Sequence, residues 1–221
     1  MPAANVIQLR TLLSEKFPGL RMRLDEPSVA PSKLWPTGLA QIDEPLQGGL
    51  PQGALTEIVA GAGNAGGSTL IRALLQQAGN TIVAFIDGSD SLDVEQIEES
   101  ALSRLLWVRC HAADEALKAA DLILRDGNLP LVMLDLRLDA GRQSIPATLW
   151  YRLQRLVEQT STVCVILTPR AMVSPAQTRL VLHSQFSLES LEGDADELLH
   201  ELKFEISRAG QVQELAGQNF A

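Results

Sequence analysis

A strand-like run, a glycine-rich turn and a helix-like run follow one another without interruption across residues 54–77. Ala54-Leu55-Thr56-Glu57-Ile58-Val59-Ala60 is largely apolar and carries β-branched residues, as a short strand requires. Thr69-Leu70-Ile71-Arg72-Ala73-Leu74-Leu75-Gln76-Gln77 spaces its apolar residues as a helix does. Between them stands Gly61-Ala62-Gly63-Asn64-Ala65-Gly66-Gly67-Ser68. Its frame is that of G-x-x-x-x-G-K-[ST], a turn whose backbone N–H groups wrap a phosphate at a helix N-terminus. In the intact pattern the lysine reaches the β- and γ-phosphates, and the Ser/Thr hydroxyl holds magnesium. Here Gly61, Gly63, Gly66, Ser68 and Thr69 keep the frame, but Gly67 stands in the lysine's place. A glycine turn alone reads equally well as a plain connection. Flanked by strand and helix, it points to descent from a phosphate binder. The expectation is a chain that requires no cofactor and holds ATP with magnesium weakly at most.

The rest of the chain continues the alternation. Thr81–Asp87, Leu105–Arg109, Leu129–Asp135 and Thr162–Leu167 read as strands, several of them apolar throughout, as strands buried on both faces are. Helices are expected over Asp93–Ala101, Ala112–Arg125 and Ile145–Gln159, the last with Leu149, Leu153, Leu156 and Val157 inward. His183–Leu191 and Glu197–Ser207 alternate more and read as antiparallel edge strands. The fold class is therefore α/β, a mostly parallel sheet flanked by helices, with antiparallel edge strands near the C-terminus. Residues 1–33 read as a helical arm and linker broken by Pro18, Pro27 and Pro31, and residues 34–221 as the core domain. The arm's amphipathic stretch suits packing on its own domain and docking to a partner equally.

Asp135 closes an apolar strand, the place where phosphate-loop proteins hold a magnesium-associated carboxylate. Strand-ending aspartates also serve as plain caps. Given the loop upstream, we read Asp135 as a relic magnesium position, shared with Ser68. The histidines His111, His183 and His200 are scattered, so a metal site built from protein ligands alone is not expected. Net charge of −9 weighs against a chain that grips nucleic acid unaided, because phosphate neutralisation dominates that affinity. Cys110 and Cys164 lie in apolar runs and read as buried small hydrophobes in a reducing cytoplasm. No apolar stretch reaches membrane-spanning length, and the N-terminus lacks a secretory core, so a soluble cytoplasmic protein is expected.

Several segments in order resemble the RecA recombinase superfamily over roughly Leu34–Gly210. Trp35-Pro36-Thr37-Gly38-Leu39-Ala40-Gln41-Ile42-Asp43, then Gly48-Gly49-Leu50-Pro51-Gln52-Gly53, are similar to the stretch that introduces the phosphate loop there. Ala84-Phe85-Ile86-Asp87 with Ser91-Leu92-Asp93, then Leu105-Leu106, Asp114-Glu115-Ala116-Leu117 and the strand ending at Asp135, keep the same order. The resemblance implies a RecA-like phosphate-loop core, and its departures are as informative. The family's lysine aligns with Gly67, its catalytic glutamate with Ser89, and its γ-phosphate-sensing glutamine falls near Pro169. Asp90 stands close enough to move a carboxylate near the Ser89 position. The family's two DNA-holding loops would correspond to Leu136–Ser144 and Pro169–Gln177, both shortened. They and their flanks carry Arg137, Arg142, Arg170 and Arg179, each read singly as an ordinary solvated arginine.

A closer resemblance is to ImuA-type proteins of bacterial mutagenesis cassettes, carried by Gly48-Gly49-Leu50-Pro51-Gln52-Gly53-Ala54-Leu55-Thr56-Glu57 and by Arg104-Leu105-Leu106-Trp107-Val108. It implies a non-catalytic regulator of the DNA-damage (SOS) response that supports translesion synthesis through protein contacts. Its partners would be RecA, or a Y-family polymerase homologue with an error-prone polymerase, or both, with DNA touched only weakly or indirectly. SulA-type cell-division inhibitors share the reduced core and imply a different target. An ATPase completed in trans, with a cation supplied across a subunit interface, is the competing enzyme reading. No catalytic residue is assigned.

Overall fold

The apolar runs pair side by side in a seven-stranded sheet. The structure, a computed structural model, describes residues 33–61, 66–88, 92–137, 145–183, 186 and 195–208. Its strands are β1 (Leu34–Trp35), β2 (Leu50–Pro51), β3 (Ala54–Val59), β4 (Val83–Asp87), β5 (Leu105–Arg109), β6 (Leu131–Asp135), β7 (Val163–Thr168), β8 (Thr178–Leu182) and β9 (Phe204–Arg208). The α-helices are α1 (Ala40–Asp43), α2 (Gly66–Gln77), α3 (Glu99–Leu102), α4 (Ala113–Asp126), α5 (Ala147–Val157) and α6 (Ala195–Glu201). The large sheet runs β5-β4-β6-β7-β3-β8-β9, and β1 pairs antiparallel with β2 apart from it. Neighbours in the large sheet are parallel except β8 and β9. The chain thus adopts the α/β class read from its sequence. The expected arm, residues 1–32 of it, lies outside the described residues.

Strand periodicity explains why the central runs are apolar throughout. Successive side chains point to opposite faces, and here both faces are covered. Val83, Phe85, Met133, Val165 and Leu167 pack with Leu70, Ile71 and Leu74 of α2. Their neighbours Ala84, Ile86, Val132, Leu134, Cys164 and Ile166 pack instead with Ala116, Ala120 and Leu124 of α4 and with Trp150 and Leu153 of α5. Trp150 is the large anchor of α5, buried where the sequence reading had chosen Leu149 and Leu156, which are only partly buried.

Three expected elements come out differently. The helix expected over Asp93–Ala101 divides into a 3₁₀ turn, Val94–Gln96, and the short α3, because Ile97 between them is extended. The first edge strand lies earlier than His183–Leu191, at β8, and runs parallel to β3. Residues 184–185 and 187–191 of that expected strand lie outside the described residues. Glu197–Glu201 is helical, with Leu198 buried, and only β9 is extended in the second segment. Half-burial made both segments ambiguous: β8 and β9 alternate buried or half-buried residues with more exposed ones, as a sheet margin does.

The segment before the loop is held by one carboxylate. Asp43 accepts the N–H of Thr37 (2.9 Å) and of Gly38 (3.0 Å) and the Thr37 hydroxyl (2.7 Å). Gly49 must be glycine: its φ is +124°, and a Cβ there would strike the Trp35 carbonyl. Asp43→Ala is expected to cost about 2 kcal/mol, since hydrogen bonds to a charged acceptor contribute more than neutral ones. A lowered urea midpoint at unchanged slope would show it.

Candidate functional site

The site gathers where parallel strands end, the edge at which ligands of open α/β sheets bind. β3 leads into Gly61, half-buried, whose nearest foreign atom is the Pro169 carbonyl oxygen, 3.7 Å from where a Cβ would stand. Gly63 lies outside the described residues. α2 then begins at Gly66, with Gly66 and Gly67 buried, Ser68 exposed and Thr69 half-buried. A Cβ at Gly66 would reach 2.5 Å from Leu202 and 3.1 Å from Leu182, so glycine lets the helix start close to β8 and the end of α6. Ser68 lines a cleft with Ile71, Arg72, Leu92, Asp93 and Ile97. No hydrogen bond joins it to Asp135 among the described residues.

Asp135 is buried at the end of β6, 3% exposed, and its carboxylate is engaged. Arg137 donates Nε to Oδ1 (3.0 Å), Nη2 to Oδ2 (2.7 Å) and its backbone N–H to Oδ1 (3.0 Å). This is a forked, charge-assisted pair, formed within one turn of chain after the strand. The same guanidinium lies against Gly67. A Cβ on Gly67 would collide with Nη1 and stand 3.1 Å from Cζ. Arg137, expected to be solvated, lies instead between the carboxylate and the loop helix.

Asp87 sits beside Asp135 in the register of β4 and β6 and is fully buried. Its Oδ2 accepts the N–H of Leu92 at 2.8 Å. Ser89 and Asp90, the positions weighed for a catalytic base, lie outside the described residues. Burial pushes the nearby Cys110 thiol up from its ordinary pKa, helped by the carboxylates of Glu115 and Asp87. Cys164, deep in β7, is pushed by burial up to about 12. Both are buried, as expected of small hydrophobes in apolar runs.

A second constellation went unread. Glu57, in the middle of β3, is 0% exposed and accepts four hydrogen bonds. They come from the Thr168 hydroxyl (3.0 Å), the N–H groups of Met172 (2.7 Å) and Val173 (3.0 Å), and Arg179 Nε (2.6 Å). Arg179 also donates to the Val173 carbonyl. The segment after β7, where a DNA-holding loop was expected, is thereby fixed to the sheet. Of the four arginines, Arg137 and Arg179 are therefore paired internally, Arg170 is exposed, and Arg142 lies outside the described residues. The signal available was a charge within an apolar strand, which has to find partners when buried.

Among the described residues no cluster of three or more His, Cys, Asp or Glu could hold a metal, and no helix is long and apolar enough to cross a membrane. No family model matches the chain. A RecA protein of Clavibacter michiganensis subsp. michiganensis is 37% identical over 123 residues, covering 53% of this chain and 33% of the relative. One of Mycolicibacterium smegmatis is 32% identical over 121 residues, covering 53% and 35%. The match thus spans about a third of the length of these curated relatives. The crystal structure of the RadB recombinase is similar with a TM-score of 0.54 at 17% identity, covering 67% of this chain and 83% of that one. Over about half its length the chain is similar in sequence to RecA proteins, and its fold is similar to that of the RadB recombinase.

Proposed function

We propose that this chain is a non-catalytic RecA-like regulator of the bacterial DNA-damage response, supporting translesion synthesis by contacting RecA or a Y-family polymerase homologue. The observation that carries this reading is the uncharged Gly67 at the lysine position, beside an Asp135 whose carboxylate is already paired with Arg137. A hydrolase of this design needs a mobile cation for the β- and γ-phosphates and a carboxylate that serves the metal. Neither group is disposed that way here. The fixed segment after β7 further favours protein contacts over a DNA groove, because Glu57 holds its backbone and engages Arg179.

The test is a tagged pull-down of the whole chain from DNA-damaged cells, with bound proteins identified by mass spectrometry. Recovery of RecA or a Y-family polymerase homologue is expected. Recovery of the division-ring tubulin homologue instead would replace this role with division inhibition. In parallel, magnesium-dependent ATP turnover by the purified chain is expected to equal that of a Ser68→Ala, Asp135→Ala control. Turnover above that control, rising with protein concentration, would revive the ATPase completed in trans.

A further inference from the structure

We infer that Arg137 is a built-in counter-ion that closes the loop's phosphate position in cis, and that residue 67 is glycine to make room for it. The inference deepens the proposed non-catalytic role and rests on its account of the loop. Three observations converge. The guanidinium takes both oxygens of Asp135, so the carboxylate at the end of β6 is neutralised by a side chain rather than kept for a metal. Its Nη1 occupies the space into which any side chain at position 67 would have to grow, and Cζ is 3.1 Å from the ideal Cβ. The pair is enclosed: Arg137 is 16% exposed and Asp135 3%.

A side chain at 67 would therefore force this guanidinium out of its present place and off the Asp135 fork. The chain has a cation at the loop, but one held by β6's own carboxylate instead of carried by α2. Ion pairing cancels its charge, and the fork fixes its direction. The residues as they stand do not fit a magnesium-bound nucleotide.

It follows that replacing Gly67 by lysine alone would not restore nucleotide binding. The experiment measures binding of a fluorescent ATP analogue with magnesium to the full chain and to Gly67→Lys, Arg137→Gln and the double variant. Arg137→Gln keeps bulk and a donor for Asp135 while removing the charge and the fork. At least a tenfold tighter affinity of the double variant over Gly67→Lys is expected. Equal affinity of those two would overturn the inference. So would weaker analogue binding by Arg137→Gln than by the parent, because Arg137 would then be a working phosphate ligand. A melting series gives a readout without nucleotide. Gly67→Ala should lower the melting temperature of the parent, where the methyl meets the guanidinium. In the Arg137→Gln background it should not, since alanine is otherwise the better helix former. A drop of the same size in both backgrounds would overturn the inference. Failure of the pull-down alone would sink the translesion role and leave the plug standing.

Discussion

Glu57→Ala is expected to cost the fold about 3–5 kcal/mol, the range for removing one partner of a buried ion pair. Against a total stability of roughly 5–15 kcal/mol for a domain, that is a large share. The size follows from what is left behind. Glu57 is wholly buried, so its loss takes away the acceptor that the N–H groups of Met172 and Val173 and the Thr168 hydroxyl use. Arg179 suffers less, because its side chain is 32% exposed and can turn toward water. Glu57→Gln keeps the shape and one acceptor oxygen but turns an amide N–H₂ toward Arg179, so a smaller loss of about 2 kcal/mol is expected. Urea unfolding measures both. Hydrogen exchange should accelerate at Met172 and Val173 beyond the global change, since these amides lose their acceptor directly. A cost below about 1 kcal/mol for Glu57→Ala would mean that the carboxylate does not organise this end of the sheet.

The strands and the main helices were legible because burial on both faces writes itself into composition. β3, β4, β6 and β7 are runs of apolar residues that no exposed element would carry, and α4 and α5 keep a helical period between them. The margin was harder. In β8 and β9 one side faces less of the core, so a parallel strand, a short helix and an antiparallel strand all look like weak alternation. The candidate site was legible as a set of positions and not as a set of contacts. Gly67 announced a missing charge, but nothing in the local pattern could say that a guanidinium from the end of β6 fills the same space. Glu57 was passed over for a related reason. Its partners come from β7, the segment after it and β8, brought together only by the strand order β7-β3-β8.

Asp135→Ala is expected to destabilise the chain by about 3–4 kcal/mol, and adding Arg137→Ala to recover most of the loss. Without the carboxylate, an enclosed guanidinium is left unpaired beside the start of α2. That helix end already carries partial positive charge, so the cation is doubly unfavourable there. Arg137→Ala alone should be milder, because Asp135 keeps the backbone N–H of residue 137 and a neighbouring helix N-terminus. The coupling between the two substitutions should reach about 1–3 kcal/mol, well above the additivity expected of independent sites. The sign of the first substitution separates two histories for the same residue. A carboxylate retained for a metal is a buried charge that the metal-free fold tolerates at a cost, and its removal tends to stabilise. One retained for Arg137 stabilises the fold as it stands. A melting temperature that rises on Asp135→Ala would assign the residue to the metal, and a fall reversed by Arg137→Ala would assign it to the arginine.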